Sequence, residues 1–540
     1  MSTNTDGFTE FFSASDGTPH FDFIVCGSGS SGSVVAGRLA AHPDVSVLLL
    51  EAGGDDETAA VRMAAQWPLN LGTERDWNFN AASGKWVNGR SVPMSMGKVL
   101  GGGSSINAMI WAWGHRNDWD YFAAESGDPA WGYESVLDIY RRIEDWHGAP
   151  DPRYRGTGGP VFVQTAPDPH PIAYAAVESA KSAGIPTFDS NNGEMMERSC
   201  GASILDLRVR DGYRESVYRS YVHPYRGRPN LTVLSGALVT RLVLDGLTVS
   251  GVEFVHGGAT YRADAGSDVV LCLGAINTPK LLMQSGIGED AHLRQHGIPI
   301  VQHLPGVGRN FQDHVGFDCV WESAEPITPH NNGVEATYFW RSDSSLDSPD
   351  LQTCQAQFAK SSSPENTQRF SPPEASWNLF PGLVQSKSRG EIRLTGARPS
   401  DPVDIDANFL SHPDDVKAAI TAVQLAREIG NSAELRPFTK REIMPGRLKG
   451  AELERFVRDA ASTYWHQSGT AKMGTDALAV VDGRLKVYGI NGLRIADASI
   501  MPRVTTGNTQ APCVVIGERA ADILRADHAL PVSPHTTSET

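Results

Sequence analysis

Apolar positions near the start of the chain fall in short runs. Phe21 to Cys26 (F-D-F-I-V-C) has the pattern of a buried parallel strand. Val34 to Ala41 follows with helical spacing, and Val45 to Leu50 is a second apolar strand ending at Glu51. Between the first strand and the helix stand Gly27, Gly29 and Gly32, in the pattern G-x-G-x-x-G. The predicted unit is strand, tight turn, helix, strand, with an acid at its far end. Gly27 permits the turn, Gly29 lets backbone approach a pyrophosphate, and Gly32 lets the helix pack on the strand. The helix N-terminus then offers free N–H groups and a partial positive charge to phosphates. Glu51 is placed to accept hydrogen bonds from ribose hydroxyls and to repel a 2′-phosphate, which disfavours NADP. A lone G-x-G-x-x-G is also what an ordinary Gly-rich turn looks like. Here strand, helix and acid agree with it, so dinucleotide binding is the reading.

Further along, an irregular region carries Trp67, Trp77 and Trp86 and leads to G-K-V-L-G-G-G-S-S-I-N, Gly97 to Asn107. Three consecutive glycines followed by serines cannot be a helix interior. Apolar residues on both sides argue for a buried loop whose bare N–H groups form a second cradle for an anion or a ring. Trp131 to Trp146 is predicted as an amphipathic helix, and the Pro/Gly stretch Gly148 to Pro160 as a change of domain. Asn230 to Leu244, Gly251 to Val255 and Asp268 to Leu273 read as strands. Gly274 to Gly288 reads as a helix with Pro279 near its start. Residues 313–460 alternate strands and polar loops, which predicts a second, sheet-based domain. Asp414 to Ile429 and Ala451 to Ala461 are predicted helices, and Asn491 to Leu524 is strand, loop, helix. The fold class is α/β, α+β overall.

A length of 540 residues implies two or three subdomains. With 40% apolar and 20% charged residues the composition is globular. A formal net charge of -16 argues against nucleic acid and anionic membranes as partners. Cys26, Cys200, Cys272, Cys319, Cys354 and Cys513 contain no C-x-x-C pair, which suits reduced thiols and no metal site. Residues 1–20 lack a basic segment followed by an apolar one. The expectation is therefore no signal peptide, no stable membrane insertion, and a cytoplasmic location. Residues 1–19 and 531–540 are expected to be disordered tails.

Five segments in order carry a family resemblance. They are G-S-G-S-S-G with Glu51, G-K-V-L-G-G-G-S-S-I-N, G-A-I-N-T-P-K-L-L-M-Q-S-G-I-G, Y-W-H-Q-S-G-T-A-K-M-G, and I-A-D-A-S with T-G-N-T. Together the chain resembles the glucose–methanol–choline (GMC) oxidoreductases across residues 20–527. The resemblance implies FAD, not NAD, bound non-covalently in a Rossmann-like domain assembled from 20–160, 229–312 and 463–527. It implies a mainly antiparallel-sheet substrate domain, from 161–228 and 313–462, covering the isoalloxazine ring. By motif, Gly27, Ser28, Gly29, Ser30, Ser31 and Gly32 would surround the pyrophosphate, Glu51 and Ala52 the adenosine ribose, and Val239 the adenine. Gly101, Gly102, Gly103, Ser104, Ser105, Asn107 and Ala108 would lie along the flavin, and Asp497 and Ala498 would meet the ribityl–pyrophosphate region. Trp77, Gly97, Trp465 and Thr509 complete the implied cofactor set.

The chemistry implied is hydride transfer from an alcohol to flavin N5. His466 in Y-W-H-Q-S-G-T matches the family's active-site histidine, and a neutral imidazole can take the alcohol proton near pH 7. Asn508 matches the partner position; an amide can hold the substrate oxygen but cannot be the base. His314 in F-Q-D-H reads as a structural residue of a tight turn, with a secondary pocket role as the alternative. Choline oxidases of the family link FAD to a histidine where this chain has Ile106, and bind the ammonium with a glutamate where it has Gly316. A quaternary cation is costly to desolvate without a carboxylate or an aromatic cage, so choline is disfavoured. Trp465 before His466 resembles hydroxymethylfurfural and aryl-alcohol oxidases. The expected substrate is a primary alcohol, with aryl and furanic alcohols as candidates, and oxygen or another acceptor reoxidises the flavin. The alternatives on the same fold are a hydroxynitrile lyase and a fatty-acid photodecarboxylase. The sequence leaves the oligomeric state and the pocket roles of His314 and Cys354 open.

Overall fold

The computed structural model describes residues 18–359 and 363–530. The tails expected to be disordered lie outside the described residues, except for Thr18 and Pro19. The Pro19 carbonyl accepts a hydrogen bond from Asp264 N, just before the first strand.

Two large sheets organise the chain. The first has seven strands, in the order Leu231–Leu234, Val47–Leu50, His20–Cys26, Ala259–Leu271, Thr248–His256 and Ala237–Asp245, with Leu493–Ile495 also paired to Ala259–Leu271. Around His20–Cys26 the pairing is parallel, with Phe23 opposite Val47 and Val25 opposite Val270. Phe23 to Cys26 are all buried, because elements cover the sheet on both faces. That is why the strand reads as a continuous apolar run and not as an alternation. Helix Ser30–Ala40 follows at once and packs against the C-terminal helix Gln510–Asp527, where Gly517 lies against Val34 and Ser31.

Three predicted elements take different bounds. The stretch Asn230 to Leu244 divides at Gly236, whose φ of 68° turns the chain between two strands. Asp268 to Leu271 is only the apolar end of the 13-residue strand Ala259–Leu271, and Leu273 already precedes the next helix. The strand's polar first part pairs antiparallel with Thr248–His256 at the sheet's margin and gives no buried-strand signal. The helix expected over 131–146 spans Tyr133–Ile143. Glu144–Trp146 becomes a strand beside Val161–Thr165, because the Glu144 carboxylate is drawn inward by the Trp111 and Trp113 indoles and Arg155.

The second sheet has eight strands, all antiparallel. Its order is Thr439–Met444, Cys319–Ser323, Ser376–Leu383, Leu351–Ala356, Val334–Trp340 and Gly201–Ile204, extended by Val315–Gly316 and Ser462–Thr463. Helix Pro413–Gly430 covers one face, where Trp321 and Trp377 stack at 4.7 Å and Gly430 makes room for the Trp321 ring. Cys354 and Ala356 project from the other face, toward the glycine loops of the first sheet. The site lies in the gap between the sheets. The mixed α/β architecture agrees with the predicted class.

Candidate active site

At one end of the gap, Gly27 has φ of 97°, and a Cβ on it would stand 2.4 Å from the Cys272 carbonyl oxygen. A Cβ on Gly32 would stand 1.9 Å from the Gly27 carbonyl oxygen, so the helix starts in backbone contact with the turn. Helix Ser30–Ala40 has no side-chain cap and no acid in its first turn. Its uncapped N–H groups face a cavity bordered by Gly29, Ser30 and Ser31, as an anion site requires.

Glu51 is buried. Its Oε2 accepts from Ser28 N at 3.0 Å and Ser28 Oγ at 2.8 Å, and its Oε1 from Gly53 N at 2.9 Å. Burial pushes its pKa up against these donors. Ser28 Oγ also accepts from Gly101 N at 3.1 Å, which ties the second glycine loop to the first. In that loop the Asn107 Oδ1 accepts from Met109 N and from Arg214 Nη1, which commits the amide oxygen to the protein.

One cavity joins the predicted cofactor residues. It is bordered by Gly27, Gly29, Ser30, Ser31, Glu51 and Ala52 at one end. Trp77, Gly97, Gly102, Gly103, Ser104, Asn107, Ala108, Asp497 and Ala498 lie along it, and Trp465, His466, Asn508 and Thr509 close the other end. Ser28, Gly32, Gly101 and Ser105 do not border it; they shape the two loops from behind. Val239 also lies off the cavity, on the strand Ala237–Asp245 that starts beside the Glu51 backbone. The Asp497 carboxylate is held by Gly274 N, Thr278 Oγ1 and Ser499 N at 2.6–2.9 Å, so it caps backbone and also borders the cavity. Ile106 borders the cavity with a side chain that has no nucleophile.

His466 follows the short strand Ser462–Thr463. Trp465 has φ of 63°, an uncommon value for a bulky residue and one that marks a sharp turn. The turn is held by Thr463 Oγ1, which accepts from Trp465 N, and by Asp313 Oδ1, which accepts from His466 N at 2.9 Å. The Thr463 hydroxyl donates to Asp313 Oδ2. Burial pushes Asp313 up to about 7 against these donors.

The protonation pattern of His466 follows from its neighbours. His314 Nε2 lies 3.0 Å from the Thr505 carbonyl oxygen, which can only accept, so Nε2 carries the hydrogen. Neutral His314 then has its lone pair on Nδ1, which lies 2.9 Å from His466 Nδ1. His466 therefore carries its hydrogen on Nδ1 and a lone pair on Nε2, 3.3 Å from the Asn508 amide nitrogen. Burial lowers the His314 pKa to about 3, and burial and then His314 hold His466 well below the usual imidazole value. Both rings are neutral near pH 7. His314 lies behind the cavity wall, in hydrogen-bond contact with both the Thr505 carbonyl and His466 Nδ1.

The chamber beside His466 is walled by Trp67, Leu71, Met109, Ile110, Val334, Cys354, Ala356, Phe358, Phe380 and Tyr464. Of these, sequence reasoning singled out only Cys354 as a pocket candidate. Val334, Cys354, Ala356 and Phe380 lack motifs and are gathered by the register of the second sheet. Phe380 and Tyr464 stack at 4.3 Å over Gly316 and Gly382. A Cβ at 316 would stand 2.2 Å from the Phe380 ring. The stacked rings thus fill the space a longer side chain at 316 would need. Among the described residues, the only carboxylates bordering the cavity are Glu51 and Asp497, and the protein's own donors hold both. No cluster of metal-ligating side chains and no helix long and apolar enough to cross a membrane occurs among the described residues.

Two family models described as GMC oxidoreductase match residues 21–316 and 386–517. The chain is 37% identical to an oxygen-dependent choline dehydrogenase of Klebsiella pneumoniae subsp. pneumoniae, covering 96% of this chain and 98% of the relative. Its structure is similar to that of pyridoxine 4-oxidase from Mesorbium loti, with a TM-score of 0.89, 31% identity, and coverage of 95% and 100% of the two chains. It is also similar to a formate oxidase variant from Aspergillus oryzae RIB40 characterised for FAD modification. That likeness has a TM-score of 0.87, 25% identity, and coverage of 95% and 100%.

Proposed function

The chain belongs to the GMC oxidoreductase family and is an FAD-dependent alcohol oxidoreductase; from that premise we propose that it oxidises an uncharged primary alcohol, aryl or furanic, to the aldehyde, with His466 as general base. The observation that carries the reading is the lone pair of His466 Nε2, directed by its neighbours into a chamber with apolar and aromatic walls.

The residues present fit FAD. The uncapped helix and the bare Gly27–Gly32 turn suit its pyrophosphate, and Glu51 borders the region suited to a ribose. Ile106 offers no atom for a covalent link, so the cofactor is held non-covalently. When bound, FAD supplies the hydride acceptor at its N5. The protein's part is to prepare the alcohol. His466 Nε2 takes the hydroxyl proton, because hydride leaves an alkoxide far more readily than an alcohol. The Asn508 Nδ2 donates to the substrate oxygen and holds it beside the base. Helix Gln510–Asp527 begins next to Asn508 without a side-chain cap, so its positive end favours negative charge arriving there. Apolar walls would exclude water from the bound alcohol. A positioned base contributes on the order of 10²–10⁴-fold.

The two sheets also support a division into flavin segments 20–160, 229–312 and 463–527 and substrate segments 161–228 and 313–462. Gly201–Ile204 pairs in the second sheet although the chain returns to the first at Leu231, which is the alternation this division needs.

Choline is the second reading. The name of the Klebsiella relative favours it, as do the aromatic faces of Trp67, Phe358, Phe380 and Tyr464, which attract cations. Against it stands the lack, among the described residues, of a free carboxylate bordering the chamber. Anaerobic mixing with benzyl alcohol, 5-hydroxymethylfurfural and choline separates the readings. Fast bleaching of the flavin by an uncharged alcohol and slow bleaching by choline is expected. Faster bleaching by choline than by the uncharged alcohols overturns the substrate class. No bleaching by any alcohol would favour non-redox lyase or decarboxylase chemistry on this fold.

A further inference from the structure

Gln352 links two arms of a hydrogen-bond chain that ends at the Thr505 carbonyl on one side and the Thr353 carbonyl on the other. It lies on strand Leu351–Ala356 and is 1% exposed. Cys354 and Ala356, two and four residues on and therefore on the same strand face, both border the cavity. Gln352 Nε2 is 3.3 Å from Asn508 Oδ1 and 3.5 Å from Thr337 Oγ1. The Thr337 hydroxyl donates to the Thr353 carbonyl at 3.0 Å, so it presents a lone pair to Gln352. That requires the amide nitrogen of Gln352 at this corner, and the nitrogen in turn requires the oxygen of Asn508. Asn508 is left with its N–H group toward His466 Nε2.

The chain therefore has one consistent set of donations, running outward from the Gln352 amide nitrogen to a backbone carbonyl at each end. Thr337 donates to Thr353, Gln352 to Thr337 and to Asn508, Asn508 to His466, His466 to His314, and His314 to Thr505. Each end is a backbone carbonyl, which can only accept. The two ends lie on different elements and lead independently to the same answer, an unprotonated His466 Nε2. If the Asn508 amide turned over, its carbonyl would face Nε2 and favour a proton there, and it would also repel the oxygen of the alcohol as that oxygen gains negative charge.

We propose that Gln352 is a positioning residue for the oxidation, keeping the Asn508 amide turned so that it donates to the base and to the substrate oxygen. The proposal rests on the roles given above to His466 and Asn508. Its test uses the holoenzyme and five variants: Gln352→Met, Gln352→Leu, Asn508→Ala, and each Gln352 replacement combined with Asn508→Ala. Two replacements guard against one that misfolds, and full flavin occupancy with an unchanged melting temperature identifies folded protein. Anaerobic stopped-flow measures flavin reduction by benzyl alcohol, or by whichever panel alcohol bleaches the flavin fastest. The Gln352 variants should reduce about 3- to 10-fold more slowly at saturating alcohol, the effect of one neutral hydrogen bond. In the Asn508→Ala background the same substitutions should cost nothing further, because their only route to the reaction is gone. The acid limb of the pH profile should also move to higher pH in the Gln352 variants. No slowing, or equal slowing in both backgrounds, overturns the proposal. Normal reduction by His466→Ala is a different result, and it would overturn the reading of the base.

Discussion

Replacing Gly29 by alanine separates FAD binding from folding. A Cβ on Gly29 meets no protein atom closer than the Cys272 carbonyl oxygen at 4.0 Å, and its φ of -59° is open to alanine. The protein can therefore fold with the extra methyl group. That group projects toward the cavity before the first helical N–H groups, where a pyrophosphate would approach. Losing one hydrogen bond to a charged group costs about 1.5–3 kcal/mol. The expected result is FAD bound roughly 10- to 150-fold more weakly. Gly32→Ala is the contrast, since its Cβ would stand 1.9 Å from the Gly27 carbonyl oxygen and the turn itself must deform. Titration of apoprotein with FAD, read by quenching of flavin fluorescence, gives the affinity, and thermal melting of the apoprotein gives the fold. Gly29→Ala should melt like wild type without FAD and gain less from added FAD. Wild-type affinity in Gly29→Ala, or an apoprotein that has already lost its fold, would refute the reasoning.

Three further outcomes follow from the site. Acid precipitation should leave the yellow flavin in the supernatant, since Ile106 offers no linking atom; flavin in the pellet would contradict this. His314→Phe should keep the edge-on ring packing seen at 4.8 Å but lose the acceptor for His466 Nδ1–H. Flavin reduction should slow by about 3- to 10-fold with FAD retained, and an unchanged rate would show that the tautomer is fixed elsewhere. The pH profile follows from the lowered His466 pKa. The base works when neutral, and the charged form appears only as pH falls through a value well below 6.5. Flavin reduction should therefore be level from about pH 7 upward and decline only in acid, and a rate that still rises above about pH 7 would contradict the burial argument.

Much of the cofactor site was legible because it is local in sequence. Gly27 to Gly32 needs only one turn and one helix to form, and Tyr464 to Thr470 carries His466 in a recognisable motif although its backbone anchor, Asp313, is 153 residues away. The substrate chamber was not legible in the same way. Val334, Cys354, Ala356 and Phe380 meet because three strands pair in a particular register, which no short pattern encodes. Gln352 looks like any polar residue on a strand until Asn508 arrives from 156 residues away. The neighbours of His314 have the pattern of a tight turn, and its contacts with Thr505 and His466 arise only in the folded chain. The amphipathic pattern runs past the helix end at Ile143, where the Glu144 carboxylate turns to the buried Trp111 and Trp113 indoles.

The central claim is that His466 takes the alcohol proton. Anaerobic flavin reduction by a primary alcohol, compared between wild type and His466→Ala with equal FAD content, tests it most directly. A loss on the order of 10²–10⁴-fold is expected, with the acid limb of the pH profile gone. Near-normal reduction in His466→Ala, with the wild-type pH profile, would contradict it.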